Sequence, residues 1–230
     1  MVALQNAPQD AKRLTTTEEV FRQLKSDIIS LRLPPGSKIS ETEVAKTFNV
    51  SRQPVREAFM RLGELNLLEI RPQRATRVRK ISHRDLSDTR FIRAAVEVEV
   101  VRVACQVATS EHLDLIRENL EQQRLAVEAG DSAALKALDY QFHNLICVAA
   151  DRAHAFRVIA ENKAHTDRAC TLELATDQGM QEVLDGHSAI FDAICAGDEK
   201  TAVRQTRIHL RHLDSTLADA SKNYPDYFEY

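Results

Sequence analysis

Four polar side chains stand on helical stripes that are otherwise apolar: Asp139, His143, His187 and His209. Asp139 and His143 are four residues apart, so they share one helix face beside hydrophobic positions such as Phe142. A buried carboxylate or imidazole is costly unless it has a partner. One carboxylate and three imidazoles form a donor set that suits a divalent ion such as Zn²⁺, Ni²⁺, Mn²⁺ or Fe²⁺.

The alternative is that each histidine bonds separately to a backbone carbonyl or to a carboxylate. His187 is the clearest predicted core histidine, because Val183, Ile190 and Phe191 surround it on one stripe. Periodicity alone leaves both interpretations open.

The elements that must position these side chains are helices. Helical periodicity predicts six of them, at about 84–108, 111–129, 132–150, 152–175, 179–196 and 199–222. Gly130-Asp131 and Gly197-Asp198 each place a glycine that ends one helix beside an aspartate that caps the next. Tight turns of this kind join antiparallel helices, so we expect an all-α bundle.

A second candidate site is residues 51–66, which are predicted to form an amphipathic helix with arginines in its first turns. Ser51 is a suitable N-cap, and Arg52, Gln53 and Arg56 fall outside the apolar stripe. They lie near the positive end of the helix dipole, where they can approach phosphates and guanine edges. Taken alone, the segment fits either a DNA recognition helix or a surface helix with solvated arginines.

The neighbouring sequence favours DNA. Ser40 and Glu43 form a capping-box pattern that opens a short helix, and Asn49 tolerates the left-handed turn between two helices. This is helix-turn-helix spacing, in which Thr42 and Ser51 would position the DNA backbone. Downstream, RPQRATRVRK is basic and predicts a wing on the phosphate backbone, served by Arg74 and Arg77.

Charge is divided along the 230 residues. Residues 14–80 carry 13 basic and 8 acidic side chains, whereas residues 81–230 carry 16 and 25. A net charge of −3 therefore hides a basic module joined to an acidic one, which fits a nucleic-acid contact confined to the first. We predict a flexible tail at 1–13, a winged helix-turn-helix at 14–79, a linker at 80–83 and an all-α domain at 84–230.

Other sequence signals exclude several protein classes. No apolar run is long enough to cross a bilayer and no signal peptide opens the chain, so we expect a cytoplasmic protein. The four cysteines show no C-x-x-C spacing, which argues against a disulfide framework and a zinc ribbon. The C-terminal YPDYFEY is compatible with packing against a partner protomer or with fraying.

The segment from Pro34 to Val78 resembles the winged-helix domain of GntR-type bacterial transcription regulators. It has a PG turn, an acidic capped helix, the phrase SR-x-PVREA and a basic wing. Residues 83 to about 220 resemble the FCD effector domain of the FadR subfamily, whose metal-ligand positions match Asp139, His143, His187 and His209. The resemblance implies a metal centre that senses a small carboxylate effector.

The resemblance also implies a role for two arginines and a mode of DNA binding. Arg93 matches a family position, and with Arg168 it is a candidate to clamp the effector carboxylate. The alternative for Arg93 is a surface salt bridge with Glu97, four residues away. The implied function is a homodimeric transcription regulator, a repressor, that binds double-stranded DNA at a pseudo-palindromic operator.

Two other functions remain open from the sequence. The same residues suit a regulator that senses the metal ion directly. A metal-dependent enzyme is disfavoured, because no glutamate accompanies the histidines as in H-E-x-x-H, and four protein ligands leave little room for an activated water.

Overall fold

The computed structural model describes residues 15–71, 74–173 and 176–229. The chain divides into two compact units, of which the first contains the described residues up to Ile28 together with Arg32–Arg79. The second contains Ile29–Leu31 and the described residues from Lys80 onward. None of the helices in these ranges combines the length and the apolar character needed to cross a membrane. The predicted tail at 1–13 lies outside the described residues.

The first unit has the predicted winged helix-turn-helix architecture. Its elements are α1 (Thr16–Ile29), β1 (Lys38–Ile39), α2 (Glu41–Phe48), α3 (Arg52–Glu64), β2 (Leu68–Glu69) and β3 (Thr76–Val78). The strands form an antiparallel sheet in the order β1-β3-β2, with Arg77 opposite Lys38 on one side and Glu69 on the other. Its core contains the predicted apolar stripe of α3, since Val55, Phe59 and Leu62 are buried.

Asparagines make the two tight turns around α3. Asn49 precedes it with φ 53°, and Asn66 follows it with φ 54°. Asparagine tolerates this left-handed conformation better than most residues, so the predicted turn at Asn49 is confirmed. The predicted capping box is wrong: Ser40 occupies the N-cap of α2, but its side chain makes no capping hydrogen bond. Ser40 and Glu43 instead line a groove on the surface of this unit.

The second unit is the predicted helical bundle. Its helices are α4 (His83–Val107), α5 (Ser110–Glu128), α6 (Ser132–Ala149), α7 (Ala155–Glu173), α8 (Asp177–Cys195) and α9 (Glu199–Asn223). Gly130 and Gly197 both adopt φ 66°. The following aspartates cap α6 and α9, because Asp131 accepts from Ala134 N at 2.9 Å and Asp198 accepts from Thr201 N at 3.0 Å. Both predicted turns are confirmed.

The C-terminal segment folds back on its own chain. After a short 3-10 helix at Pro225–Tyr227, β5 (Phe228–Glu229) pairs in parallel with β4 (Ile81–Ser82). The linker expected at 80–83 is therefore ordered as part of the second unit, because Ile81 is fully buried beside Phe228. Of the two outcomes considered from the sequence, fraying is wrong for residues 225–229, and packing against a partner protomer stays a prediction.

Candidate nucleic-acid interface and metal centre

The first unit carries an open groove between the starts of α2 and α3 and the wing. Its volume is about 530 Å³, and Thr42, Arg52, Arg56 and Arg74 are among its lining residues. Ser51 and Gln53 are exposed beside it at the start of α3. The structure thus brings together six of the seven residues predicted to contact DNA.

Arg77, the seventh, is engaged with the backbone of its own unit. Its guanidinium Nη1 donates to the carbonyl oxygen of Gly36 at 2.7 Å. This hydrogen bond joins the wing strand β3 to the PG turn. Arg77 therefore supports the shape of the wing while remaining exposed, and Arg74, which is also exposed, lines the groove.

Glu41, which was not predicted as a site residue, holds both arginines of the recognition helix. Its Oε2 lies 3.1 Å from Nη2 of Arg52 and 3.4 Å from Nη2 of Arg56. The two guanidiniums remain accessible, with 59% of the Arg52 side chain exposed. Exposed ion pairs contribute little to stability, so a phosphate or a base edge can replace Glu41 at small cost.

The second unit brings the four predicted metal ligands together from α6, α8 and α9. One donor atom from each of Asp139, His143, His187 and His209 lies within 4.8 Å of the other three. Oδ1 of Asp139 is 3.5 Å from Nε2 of His143 and 3.5 Å from Nε2 of His187. The ring centroids of His187 and His209 are 4.6 Å apart. The four side chains therefore surround one point inside the bundle.

The ring nitrogens that face this point make no direct hydrogen bond among the described residues. Nε2 of His143 and Nε2 of His187 are both buried there, and the nearest oxygen, Oδ1 of Asp139, is 3.5 Å from each. Buried polar atoms are normally satisfied, and two such atoms converging beside a carboxylate call for a ligand. The donor set therefore fits a divalent ion of the Zn²⁺, Ni²⁺, Mn²⁺ or Fe²⁺ type.

The other ring nitrogen of His187, Nδ1, is oriented by two hydrogen-bonded side chains of α5. Nε2 of Gln123 donates to Oδ1 of Asn119 at 2.7 Å, which turns Gln123 Oε1 toward Nδ1 of His187 at 2.8 Å. An amide oxygen can only accept, so Nδ1 of His187 carries the proton. Nε2 is then left with a lone pair directed at the candidate centre.

The corresponding partner of His143 is a carboxylate. Nδ1 of His143 lies 2.8 Å from Oε2 of Glu97, whose other oxygen accepts from Nε of Arg93 at 2.7 Å. Arg93 is buried, so this is not the surface salt bridge considered as an alternative, and its guanidinium is already paired. Carboxylate–histidine pairs of this kind orient metal ligands and increase their basicity.

The arginines predicted to clamp an effector are both buried. Arg168, on α7, is 3% exposed. A cavity of about 10 Å³ adjoins the centre, lined by Glu97, His143, Cys147 and Thr206 among others. That volume accommodates about one water molecule. In this conformation it does not admit an organic acid.

The protonation states of the histidines differ. Burial lowers the pKa of His187 to about 4. Burial, then the neighbouring histidines, holds the pKa of His209 well below its usual value. Burial also opposes charging of His143, but the carboxylates of Glu97 and Asp139 together outweigh it and raise the pKa of His143. Metals bind neutral imidazole, so His143 is the ligand that an incoming ion would have to deprotonate.

Lys163 of α7 is the main residue that the sequence analysis missed. Its Nζ lies 2.7 Å from Oδ2 of Asp139 and 3.5 Å from Oδ1 of Asp167. Burial works against the charge on Asp139, yet the ammonium of Lys163 and then the nearby imidazoles of His143 and His187 keep the pKa of that carboxyl well below its usual value. Asp139 is therefore an ionised donor.

Comparison with known proteins yields matches to both units. Residues 16–78 match the family described as bacterial regulatory proteins, gntR family, and residues 88–212 match the FCD domain. The chain is 35% identical over 211 residues to the HTH-type transcriptional repressor RspR of Escherichia coli K12, which covers 92% of each chain. It is 32% identical over 204 residues to a probable D-xylose utilization operon transcriptional repressor of Paenarthrobacter nicotinovorans, covering 87% and 89%.

A solved structure shares the fold. The E. coli McbR/YncC structure aligns with a TM-score of 0.72 at 22% identity, over 92% of this chain and 100% of that one. The named relatives are transcription regulators and not enzymes. The enzyme interpretation of the bundle is set aside on this ground.

Proposed function

The chain belongs to the GntR family of bacterial regulatory proteins and carries an FCD domain, and from this premise we propose a metal-dependent, ligand-responsive repressor of the FadR subfamily. It would act in the cytoplasm as a homodimer on a pseudo-palindromic operator. One observation carries the proposal: three imidazoles and one carboxylate converge within 4.8 Å inside the bundle.

The DNA-binding part of the proposal rests on the first unit. Arg52, Gln53 and Arg56 would contact base edges or adjacent phosphates, because they stand exposed at the start of α3. Thr42 and Ser51 would position the DNA backbone, and Arg74 would contact it from the wing. Arg77 would act indirectly by holding the wing to Gly36.

The sensing part rests on the second unit. Asp139, His143, His187 and His209 would hold the ion, with Glu97 and Gln123 orienting two of the histidines. When bound, the ion supplies Lewis acidity and open coordination positions that attract a small carboxylate. Arg93 and Arg168 would add positive charge around that carboxylate once the surrounding side chains make room for it.

Dimer formation is supported by apolar exposure on the bundle. Phe91 is 77% exposed on α4, close in sequence to the exposed Ile92, and Ile208 is exposed on α9. Exposed apolar side chains that form a patch often mark contact surfaces, and Phe91 lies beside Leu210 of α9 at a surface pocket. Replacing Phe91 with glutamate should shift sedimentation equilibrium from dimer toward monomer.

Direct metal sensing is the second candidate function. It is favoured by the cavity of about 10 Å³ beside the centre, which is the size of about one water molecule. In this case the ion would itself be the signal.

The test begins with selection of DNA from a random pool by the purified protein, followed by affinity measurements on the selected sequence. We expect two inverted half-sites. Affinity is then compared for chelator-treated protein, metal-loaded protein, and loaded protein with a panel of small organic acids. A change only with an acid supports the effector-responsive repressor, and a change with metal alone supports direct sensing. No change in either case contradicts both.

A further inference from the structure

A lysine without solvent access stands beside the candidate metal centre. Lys163 is 3% exposed, and its ammonium contacts Oδ2 of Asp139 at 2.7 Å. It also lies 4.7 Å from the ring centroid of Tyr140. Burying an ammonium is costly unless it is paired, so the contact with Asp139 offsets the cost of keeping Lys163 in the interior.

The lysine is held in place from its other side. Asp167 lies one helical turn further along α7, with Oδ1 at 3.5 Å from the ammonium. The hydroxyl of Tyr140 donates to the second oxygen of Asp167. Burial opposes the charge on Lys163, but Asp139 and Asp167 together raise the pKa of its ammonium above the usual value. The positive charge is therefore permanent at neutral pH.

The two oxygens of Asp139 consequently have different surroundings. Oδ1 faces Nε2 of His143 and Nε2 of His187, each at 3.5 Å. Oδ2 faces the ammonium of Lys163. A carboxylate held in this way offers a metal ion one oxygen only.

We propose that Lys163 is a positioning residue of the candidate metal centre. It restricts Asp139 to coordination through Oδ1 and reduces affinity for divalent cations, so that binding is reversible. The inference rests on the proposed metal centre. Its physical basis is charge: the ammonium of Lys163 contacts the carboxylate of Asp139 at 2.7 Å, so it opposes the approach of a divalent cation to that carboxylate.

Zinc affinity of full-length variants tests this role by competition with a chromophoric chelator. Lys163→Met removes the charge but keeps the chain length, and it should raise the affinity for Zn²⁺ by about tenfold or more. Lys163→Arg keeps the charge and should stay within about threefold of the unaltered protein. Lys136→Met is the matched control, because Lys136 bonds the backbone oxygen of Asp167 and the hydroxyl of Thr171.

Unchanged or weaker zinc binding by Lys163→Met would overturn the inference while leaving the metal centre intact. Absence of zinc binding by the unaltered protein would overturn the centre and the inference together.

A second measurement does not depend on the folding of Lys163→Met. The side-chain ammonium signal of Lys163 in nitrogen-15 NMR, assigned by its loss in Lys163→Arg, should stay protected from solvent exchange and shift when Zn²⁺ is added. A signal that is unaffected by Zn²⁺, or that is lost to exchange, would contradict an ion pair between Lys163 and the metal-binding carboxylate of Asp139.

Discussion

Nδ1 of His209 lies 3.0 Å from the point where a Cβ atom on Gly186 would stand. Gly186 is in the interior of α8, where glycine destabilises a helix by about 1 kcal/mol relative to alanine. The close approach of the imidazole explains why this helix contains a glycine immediately before His187. Gly186 provides the space that lets α9 bring His209 to the centre.

We predict that Gly186→Ala weakens metal binding even though alanine favours the helix. The new methyl group would displace the His209 ring, and one of four ligands would be misplaced. Isothermal titration with Zn²⁺ should show affinity reduced by roughly tenfold to a hundredfold, in the range found when ligand orientation is lost. Ser188→Ala, on the same helix, is the control, and equal affinities in the two variants would refute this role of the glycine.

Gln123→Leu should also weaken metal binding. Leucine fills the space of the amide but cannot accept from Nδ1 of His187, so the proton of that histidine is no longer fixed. We expect about a tenfold to hundredfold loss of Zn²⁺ affinity. Gln122→Leu changes the exposed neighbour and should have no effect. If both variants bound zinc as the unaltered protein does, the hydrogen bond between Gln123 of α5 and His187 would have no effect on metal binding.

Arg52→Ala should weaken binding to the selected operator by about 1–3 kcal/mol and relax sequence preference at one position of each half-site. The reason is the loss of a guanidinium that can contact guanine bidentately. Fluorescence anisotropy at physiological salt measures the effect, with Arg22→Ala on the exposed face of α1 as the control. Retention of full affinity would count against α3 as the recognition helix.

Glu41→Gln should strengthen binding to unrelated DNA while reducing discrimination. The change removes a negative charge that contacts both Arg52 and Arg56, so these arginines meet phosphates with less competition. Titrations over a range of salt concentrations should show severalfold tighter nonspecific binding, with the largest gain at low salt. Glu64→Gln, at the other end of α3, should leave these curves unchanged.

Phe228→Ala should destabilise the second unit by about 3–5 kcal/mol, the usual cost of removing a buried phenylalanine. Phe228 is buried and stacks on the ring of His83 with centroids 5.4 Å apart. Chemical denaturation measures the loss, and Tyr224→Ala removes a more exposed aromatic for comparison. Similar small losses in both variants would indicate that the tail does not stabilise the bundle.

Local periodicity was sufficient to predict the helices and to place Asp139, His143, His187 and His209 on the inner faces of three of them. Periodicity left their role open, and the resemblance to the FCD domain singled them out together as candidate ligands. The turns at Gly130 and Gly197 could also be predicted from local sequence, because one glycine and the aspartate after it determine each turn.

The residues that pair with those ligands could not be predicted from local periodicity. Lys163 and Asp167, like Arg93 and Glu97, are spaced four apart as in an exposed helical ion pair, and spacing alone does not reveal that they are buried. Asn119 and Gln123 follow the same pattern. The pairing of β4 with β5 joins segments from opposite ends of the second unit, so no local pattern predicts it.

The most direct test of the metal centre is the zinc content of purified protein at equilibrium with a dialysis buffer that contains Zn²⁺, determined in excess of the buffer by atomic emission for the unaltered chain and for His187→Ala. His187 is fully buried and its Nε2 faces Asp139, so its removal takes away a ligand and leaves surface residues unchanged. We expect about one divalent ion per chain in the unaltered protein and almost none in His187→Ala. Equal metal content in the two proteins, or none in either, would contradict the proposed metal centre.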